Sequence, residues 1–523
     1  MGSRRVSKLS NNSCFKLYPS QGEPAKALSI LLRGLAKLKV TLNRELIQLK
    51  LGEDLVSKLK PLFYPNSIAV IGASDNPTKL GYRYVKNLVE GGYKGRVYPV
   101  NPKLAGREVL GFKSYPSIFD VPEEVDLALI AVGARLTLNV LKDCASRGVK
   151  AAIVFASGFA ESMGEEGRKM ELEMRRISEE SGMVIVGPNC LGIVNLAVGL
   201  NTLVEAVIPK EPGRISFISH SGSLMETFLT TSSERGFYIS KAVSSGNEAA
   251  TTLNDYLEYF IEDPETGVIA MYIEAIKDGR RFMELCRSTT KPLVALKAGR
   301  TEAGKTAAKS HTASLAGSVE VWNGVCKQLG IIQARSLEEL YDLSMALACP
   351  LRPSGNRVAI ITAPGGPAVL ATDACEELGL RVPRLTDDSI SKLRSMLPPF
   401  ASPINPVDIS ASALEDIDVY ERVLRVVASD PNVDSIIVIP PLIEYLMRVS
   451  KIVVNIVEEC QKPIVVAWTI PFGVGVSELL EAVKLLGRKL VPNYFMPERA
   501  ARALAALLLQ SRIEERKKRA RGS

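Results

Sequence analysis

From residue 65 onward the chain alternates short, β-branched apolar runs with longer amphipathic stretches, and this alternation limits the possible folds more than any other feature. Five runs come first: SIAVIG (67–72), RVYPV (96–100), VDLALIAV (125–132), VKAAIVFA (149–156) and MVIVG (183–187). A second set follows, RISFIS (214–219), ISKAV (239–243), GVIAMYIE (267–274) and PLVALK (292–297). After the Pro/Gly-rich segment CPLRPSGN (349–356) come RVAIIT (357–362), VDSIIVIP (433–440) and KPIVVAW (462–468). Runs that do not alternate with polar residues are strands covered on both faces, hence parallel sheets of βαβ units. The expected fold class is α/β in three consecutive domains, with EPGR (211–214) and PLRPSG (350–355) at the boundaries.

Composition removes several function classes. No stretch reaches the roughly 18 uninterrupted apolar residues of a membrane span. The segment ALSILLRGLAKLKV is broken by Arg33, Lys37 and Lys39 and is no signal-peptide core. The eight cysteines contain no C-x-x-C pair, which suits reduced thiols in a cytoplasmic protein and argues against a disulfide frame or a metal site. The formal charge of +8 is concentrated at the ends. Residues 1–60 carry twelve Lys/Arg against four Asp/Glu, and RIEERKKRARGS (512–523) carries six against two, so the body between them is mildly acidic. The ends read as solvated appendages, with neither nucleic acid nor membrane as partner.

In the first domain, AVIGASDNPTKLGYRYVKNLVEGGYKGRVYPVNPK is strand, glycine turn, helix, strand. Backbone N–H groups where a turn meets a helix seat phosphate. Folds that bind NAD usually place Asp or Glu at the end of the second strand for the ribose hydroxyls. Here NPK stands there, and Lys103 favours a phosphorylated ribose such as that of coenzyme A. Two further strand-to-helix turns, SHSGS (219–223) and APGGPA (363–368), put small residues where a helix begins. Such turns in two domains suggest one phosphate held between them.

His311 is one of two histidines and sits in the small, polar stretch KSHTASLAGS. A buried structural imidazole would need an apolar face, and a metal ligand would need companions that the stretch lacks. A nucleophile carrying a covalent group on a mobile arm fits the flanking residues, with a carboxylate at the other ring nitrogen. Glu274, ending the run GVIAMYIE, is placed to be that carboxylate. GRTEAGKT (299–306) matches the P-loop pattern G-x-x-x-x-G-K-[ST]. It is read as coincidental, because no later strand ends in an acid suited to Mg2+.

Taken in order, AVIGASDNPTKLG, VYPVNPK, GPNCLGIVN, ISHSGSL, YIEAIKDGRRF, KSHTASLAG, ITAPGGPAVLATDACEELGL and NPVDI resemble the α subunit of NDP-forming acyl-CoA synthetases. The likeness to the succinyl-CoA synthetase α subunit is more distant. It runs from about residue 58 to about residue 510. The resemblance implies a Rossmann-like CoA-binding domain (58–205) and two flavodoxin-like domains (206–350, 351–511), between a basic extension (1–57) and a basic tail (512–523). It implies that His311 is phosphorylated, with Glu274 stabilising it and Asn189 near the reacting centre. CoA or acyl-CoA maps onto Gly72, Ala73, Ser74, Lys79, Gly81, Asn101 and Lys103. Phosphate maps onto Ser221, Gly222 and Ser223 in one domain and Gly365 and Gly366 in the other. Where these enzymes usually read SQSG, this chain reads SHSG, so His220 is not expected to be the carrier. None of these stretches reads as an ATP-grasp domain. Mg-ADP or Mg-ATP is therefore expected on a separate ATP-grasp β subunit, in an α2β2 heterotetramer acting on a small organic acid. The alternatives are a CoA-binding regulatory or scaffold protein without catalysis, and a P-loop NTPase.

Overall fold

The structure is a computed structural model that describes residues 55–203, 208–306, 317–410, 416–441, 445–470 and 476–522. The stretch 1–54 and His311 lie outside the described residues. Residues 56–63 are helical and bury Leu59, Leu62 and Phe63, and Phe63 stacks on Tyr259 at 4.6 Å between ring centroids. The folded body thus includes the last residues assigned to the basic extension.

Three sheets carry the body. The first has β1 (Ser67–Ile71), β2 (Arg96–Val100), β3 (Leu127–Ile130), β4 (Ala151–Val154) and β5 (Val184–Val186), all parallel, in the order β2-β1-β3-β4-β5. Every residue of β1, β3, β4 and β5 is buried, as expected of strands covered on both faces. Helix α1 (Leu80–Gly91) follows β1.

The second sheet has seven strands: β6 (Ile193–Asn195), β7 (Leu200–Asn201), β8 (Ile215–Ser219), β9 (Ile239–Ser244), β10 (Val268–Ile273), β11 (Leu293–Lys297) and β12 (Ile331–Ala334). Their order is β12-β11-β10-β8-β9-β6-β7. The strands β8 to β12 are parallel, while β6 runs antiparallel to β9 and β7 antiparallel to β6. This departs from the expected division at 205/206, because the chain joins the second sheet by Ile193. Pairing β6 with β9 covers an edge that would otherwise expose unpaired backbone groups, and it buries Ile193, Val194 and Leu200.

The third sheet has β13 (Val358–Thr362), β14 (Val407–Asp408), β15 (Ser435–Ile439), β16 (Ile464–Ala467) and β17 (Asn493–Tyr494), all parallel, in the order β14-β13-β15-β16-β17. Helices α2 (Gly222–Arg235), α3 (Leu337–Ala348), α4 (Gly365–Glu377) and α5 (Pro497–Gly522) join the second and third domains. One apolar cluster runs from Phe217 and Phe228 through Tyr341 to Ile360, Ala371 and Leu504.

The basic tail is not a solvated appendage. It is the end of the 26-residue helix α5. Ile513 is 6% exposed, and the Lys517 ammonium donates to the carbonyls of Cys286 and Thr289, both at 2.8 Å. Those carbonyls end the helix Gly279–Ser288, where a cation both satisfies free acceptors and meets the negative end of the dipole. No helix among the described residues is long and apolar enough to cross a membrane.

Candidate active site

In an open parallel sheet, ligands gather where strands end at their carboxyl edge. The first sheet follows this rule. Gly72 leaves β1 with φ +87°, and a Cβ there would come 2.7 Å from the Ala131 carbonyl oxygen, so only glycine fits the turn. Gly81 in α1 lies against this turn, where a Cβ would be 2.1 Å from Gly72 O. The N–H groups of Gly72 and Ala73 both go to Val100 O, at 2.9 and 3.2 Å, so they are not free for an anion. Their role is to shape the turn, and the donors that can meet a phosphate begin at Ser74. Asn101 clamps the turn by donating from Nδ2 to Ala73 O at 2.7 Å, and its Oδ1 accepts from the N–H of Lys103 at 2.9 Å. Lys79 and Lys103 are exposed on either side. The structure thus places all seven residues expected to meet CoA at or beside one turn, with the side chains of Lys79 and Lys103 exposed.

The second cluster lies at the ends of the neighbouring strands β8 and β10, where Ser219 pairs with Tyr272. The residues that follow are His220 and Glu274. Glu274 is 6% exposed, and its Oε2 is buried with no hydrogen-bond partner among the described residues. Its carbonyl accepts from the Lys297 ammonium at 2.7 Å, and burial lowers the Lys297 pKa against the opposing pull of the Glu274 carboxylate. A buried carboxylate oxygen without a donor is costly unless something else supplies one.

His220 fills the space beside it. Nε2 stands 3.0 Å from Oε1 of Glu248, and these two side chains are 7% and 2% exposed. Nδ1 lies 3.2 Å from the Glu274 N–H and 3.3 Å from the Tyr272 carbonyl. Burial opposes a charge on this ring, but Glu248, Glu274 and the Tyr272 carbonyl together outweigh it and raise the His220 pKa. Glu248 shows the reverse: burial works against its charge, and His220 more than offsets that to lower its pKa. Both ring nitrogens have partners, Nε2 at Glu248 and Nδ1 between Glu274 N–H and the Tyr272 carbonyl.

Asn189, with φ 56°, is held by the same loop. Its Nδ2 donates to Asn247 Oδ1 at 3.2 Å, and Asn247 Nδ2 donates to Glu161 and Glu171 at 2.6 and 2.8 Å. Gly246 permits this contact, since a Cβ there would lie 2.2 Å from Pro188 O. Adjacent residues Asn247 and Glu248 therefore connect the Asn189 loop to His220 and Glu274. Cys190, next to Asn189, is buried, and burial pushes its thiol up to about 12, which makes it an inert packing residue.

The expected phosphate residues fall at two helix starts. Ser221 is the N-cap of α2, with Oγ accepting from Leu224 N at 3.4 Å, and Ser223 Oγ lies 3.2 Å from it. Gly222 has a further reason to be small: a Cβ there would lie 2.4 Å from Leu191 Cγ. Gly365 and Gly366 open α4, exposed to solvent. Asp408 approaches this start, its Oδ2 being 3.6 Å from where a Cβ on Gly365 would stand. No hydrogen bond, ion pair or ring contact joins the two starts among the described residues. The P-loop-like run ties itself up instead, with Lys305 paired to Glu302 at 2.6 Å and Gly304 N–H donating to Thr301 Oγ1 at 3.0 Å.

Sequence reasoning missed Glu248, Asn247 and Lys297. The available signal was position alone: each ends or follows a strand at the edge that holds Glu274. A metal was not expected, and no group of three or more potential ligands occurs among the described residues.

A glycine-turn Rossmann domain, followed by a flavodoxin-like domain whose strand ends hold a buried carboxylate and a third domain of the same design, defines the α-chain class of CoA ligases. Family models match in the same order: a CoA binding domain over residues 66–195, a succinyl-CoA ligase-like flavodoxin domain over 212–347 and a ligase-CoA domain over 358–509. The ADP-forming acetate–CoA ligase II subunit alpha of Pyrococcus furiosus is 41% identical over 465 residues, covering 86% of this chain and 97% of the relative. The chain belongs to the family of ADP-forming acetate–CoA ligase α subunits. The ADP-forming acetate–CoA ligase I of Archaeoglobus fulgidus is 39% identical over 464 residues, and the chain spans 65% of that relative's length. A solved acetyl-coenzyme A synthetase 1 of Candidatus Korarchaeum cryptofilum, in complex with phosphate and ADP, superposes with a TM-score of 0.79 at 36% identity over 88% of this chain and 98% of that one.

Proposed function

We propose that this chain is the CoA- and phosphate-handling half of an ADP-forming acyl-CoA synthetase, working with a separate ATP-grasp β subunit in an α2β2 assembly in the cytoplasm. A phosphate oxygen attacks the thioester carbonyl carbon. The carbon–sulfur bond breaks, CoA leaves as the thiolate and takes up a proton, and an acyl phosphate remains. A ring nitrogen of His311 then attacks phosphorus, the bond to the acyl oxygen breaks, and the carboxylate leaves. The phosphoryl group passes to Mg-ADP on the β subunit. The turn at Gly72–Ser74 with Lys79, Asn101 and Lys103 holds CoA, while Asn189 orients the thioester end. Ser221, Gly222, Ser223, Gly365 and Gly366 neutralise the moving phosphate through helix N-termini. Glu274 accepts from the other ring nitrogen of His311, fixing its tautomer and favouring its charge.

The observation that carries this reading is the buried Oε2 of Glu274 at the strand end, which has no partner among the described residues. An imidazole N–H supplies the donor it lacks. The test is acyl-CoA with radiolabelled phosphate, first on this chain and then with a co-expressed β chain. Acid-labile, base-stable label that is lost in His311→Asn and reduced in Glu274→Gln supports the reading. Absence of label in the assembled enzyme, despite CoA binding, overturns it. The acid is assigned by running acetyl-, branched-chain and aryl-CoA thioesters in the same assay.

A further inference from the structure

A cavity of about 360 Å3 opens at the amino ends of the second sheet's strands, the opposite edge from Glu274. Arg214 stands just before β8, Gly267 before β10 and Lys291 before β11. The end of α3, Arg352 in the connection to the third domain, and Glu514 and Lys518 on α5 complete it. Its lining therefore holds four cations and one carboxylate.

Two of the cations are fixed in advance. The Lys291 ammonium donates to the carbonyls of Phe260 and Asp263, at 2.9 and 2.6 Å. The Arg352 guanidinium donates to Cys349 O at 2.5 Å and to Glu514 Oε1 at 3.1 Å. The other two, Arg214 and Lys518, are exposed and form no ion pair among the described residues. Gly267 makes room for Arg214, because a Cβ there would stand 2.9 Å from its Nε. Burial lowers the Lys291 pKa, and Arg214 is among the positive charges that add to the effect, so an anion between them would relieve repulsion. Leu347, Ala348, Cys349 and Pro350 also line the cavity and give it apolar surface.

We propose that this cavity is a second ligand site, taking a nucleoside mono- or diphosphate with its phosphates between Arg214, Lys518 and Lys291 and its base against the Leu347–Pro350 wall. The volume is within the roughly 300–1,000 Å3 of small-molecule sites. Planar, fork-shaped guanidinium suits phosphate, and the apolar wall suits a base. Its walls come from the second domain, the connection to the third and α5, so an occupant ties these pieces together. This role is separate from the chemistry at Glu274 and does not depend on it.

The test uses the full chain saturated with CoA, so that the first-domain turn cannot capture the nucleotide. ADP, AMP, adenosine and inorganic phosphate are titrated by calorimetry. ADP should bind saturably, and adenosine should bind at least about tenfold more weakly, since charge-assisted bonds carry the phosphate. The double variant R214E/K518E should weaken ADP by at least about tenfold while leaving CoA affinity unchanged, and Lys103→Glu should leave ADP binding intact. The milder R214Q/K518Q serves if charge reversal disturbs folding. Absence of saturable ADP binding, equal affinity for adenosine, or equal affinity in a folded variant would overturn the proposal.

Discussion

Nδ1 of His220 sits between a donor and an acceptor, 3.2 Å from the Glu274 N–H and 3.3 Å from the Tyr272 carbonyl. A neutral ring with its proton on Nε2 donates to Glu248 and accepts from Glu274. A protonated ring still donates to Glu248 but turns its second N–H toward Tyr272, releasing the Glu274 N–H. The charge state of His220 thus reaches the backbone of the proposed phosphohistidine partner.

His220→Gln is expected to lower stability by about 2–4 kcal/mol at pH 6, since it leaves Glu248 buried without its counter-charge. The pH dependence follows from linkage. A raised folded pKa means the His220 contribution is complete below the unfolded value of about 6.5 and is lost as pH rises through the folded value. Glu248, with its pKa lowered, contributes above its unfolded value and loses that contribution as pH falls through the folded one. The wild-type advantage over His220→Gln in chemical denaturation should therefore be large at pH 6 and small at pH 9. An advantage that grows from pH 6 to pH 9 would reject the assignment.

The CoA turn separates shape from charge. Gly81→Ala drives a methyl into the Gly72 carbonyl and should cost about 3 kcal/mol or more, with CoA binding lost as the turn opens. Lys103→Glu changes an exposed side chain and should leave stability within about 0.5 kcal/mol. Its CoA affinity should fall by about tenfold, a loss that shrinks at high salt. Thermal denaturation beside calorimetric CoA titration of both variants reads the two effects apart.

The two proposed phosphate turns differ in the space they leave for the same substitution. Gly222→Ala forces Leu191 aside and should impair phosphate labelling, and Leu191→Ala should restore part of it by vacating the space. Gly366→Ala meets no atom within 4 Å, so the fold should be unaffected. If an anion does approach that helix start, its KM for phosphate should still rise severalfold. An unchanged KM would remove Gly366 from the cradle.

The three-domain plan was readable because strands covered on both faces are continuous apolar runs. All twelve runs correspond to strands, ten of them trimmed by one or two residues at an end, RVYPV matched in full and ISKAV extended by Ser244. Strands such as Val407–Asp408 and Asn493–Tyr494 were not readable, since two residues carry no period. The helical tail was misread because charge dominates its composition, while its docking depends on Ile513 and on Lys517 reaching the end of another helix. At the candidate site, the proposed roles of Glu274 and of the turn at Gly72–Ser74 rest on motifs that lie near in sequence. The pairing of His220 with Glu248 was not readable, because it arises when a left-handed backbone at Glu248, φ 56°, turns that side chain under a neighbouring strand end.

One buried acid adds a polar link to the apolar join between the second and third domains. Asp342 on α3 is 5% exposed and pairs with the Arg499 guanidinium on α5, while its carbonyl accepts from Tyr494 Oη at 2.7 Å. Burial raises the Asp342 pKa, and Arg499 opposes that rise. Arg499→Met removes the acid's nearest cation, leaving the Arg235 guanidinium at 3.9 Å, and should cost about 3 kcal/mol. Asp342→Asn should cost less, because the carbonyl bond to Tyr494 survives. In the double variant Asp342→Asn with Arg499→Met no buried charge is left alone, so its loss should be smaller than the sum of the single losses. Denaturation of the four proteins in one cycle measures this. Strict additivity would show that the pair does not couple the domains.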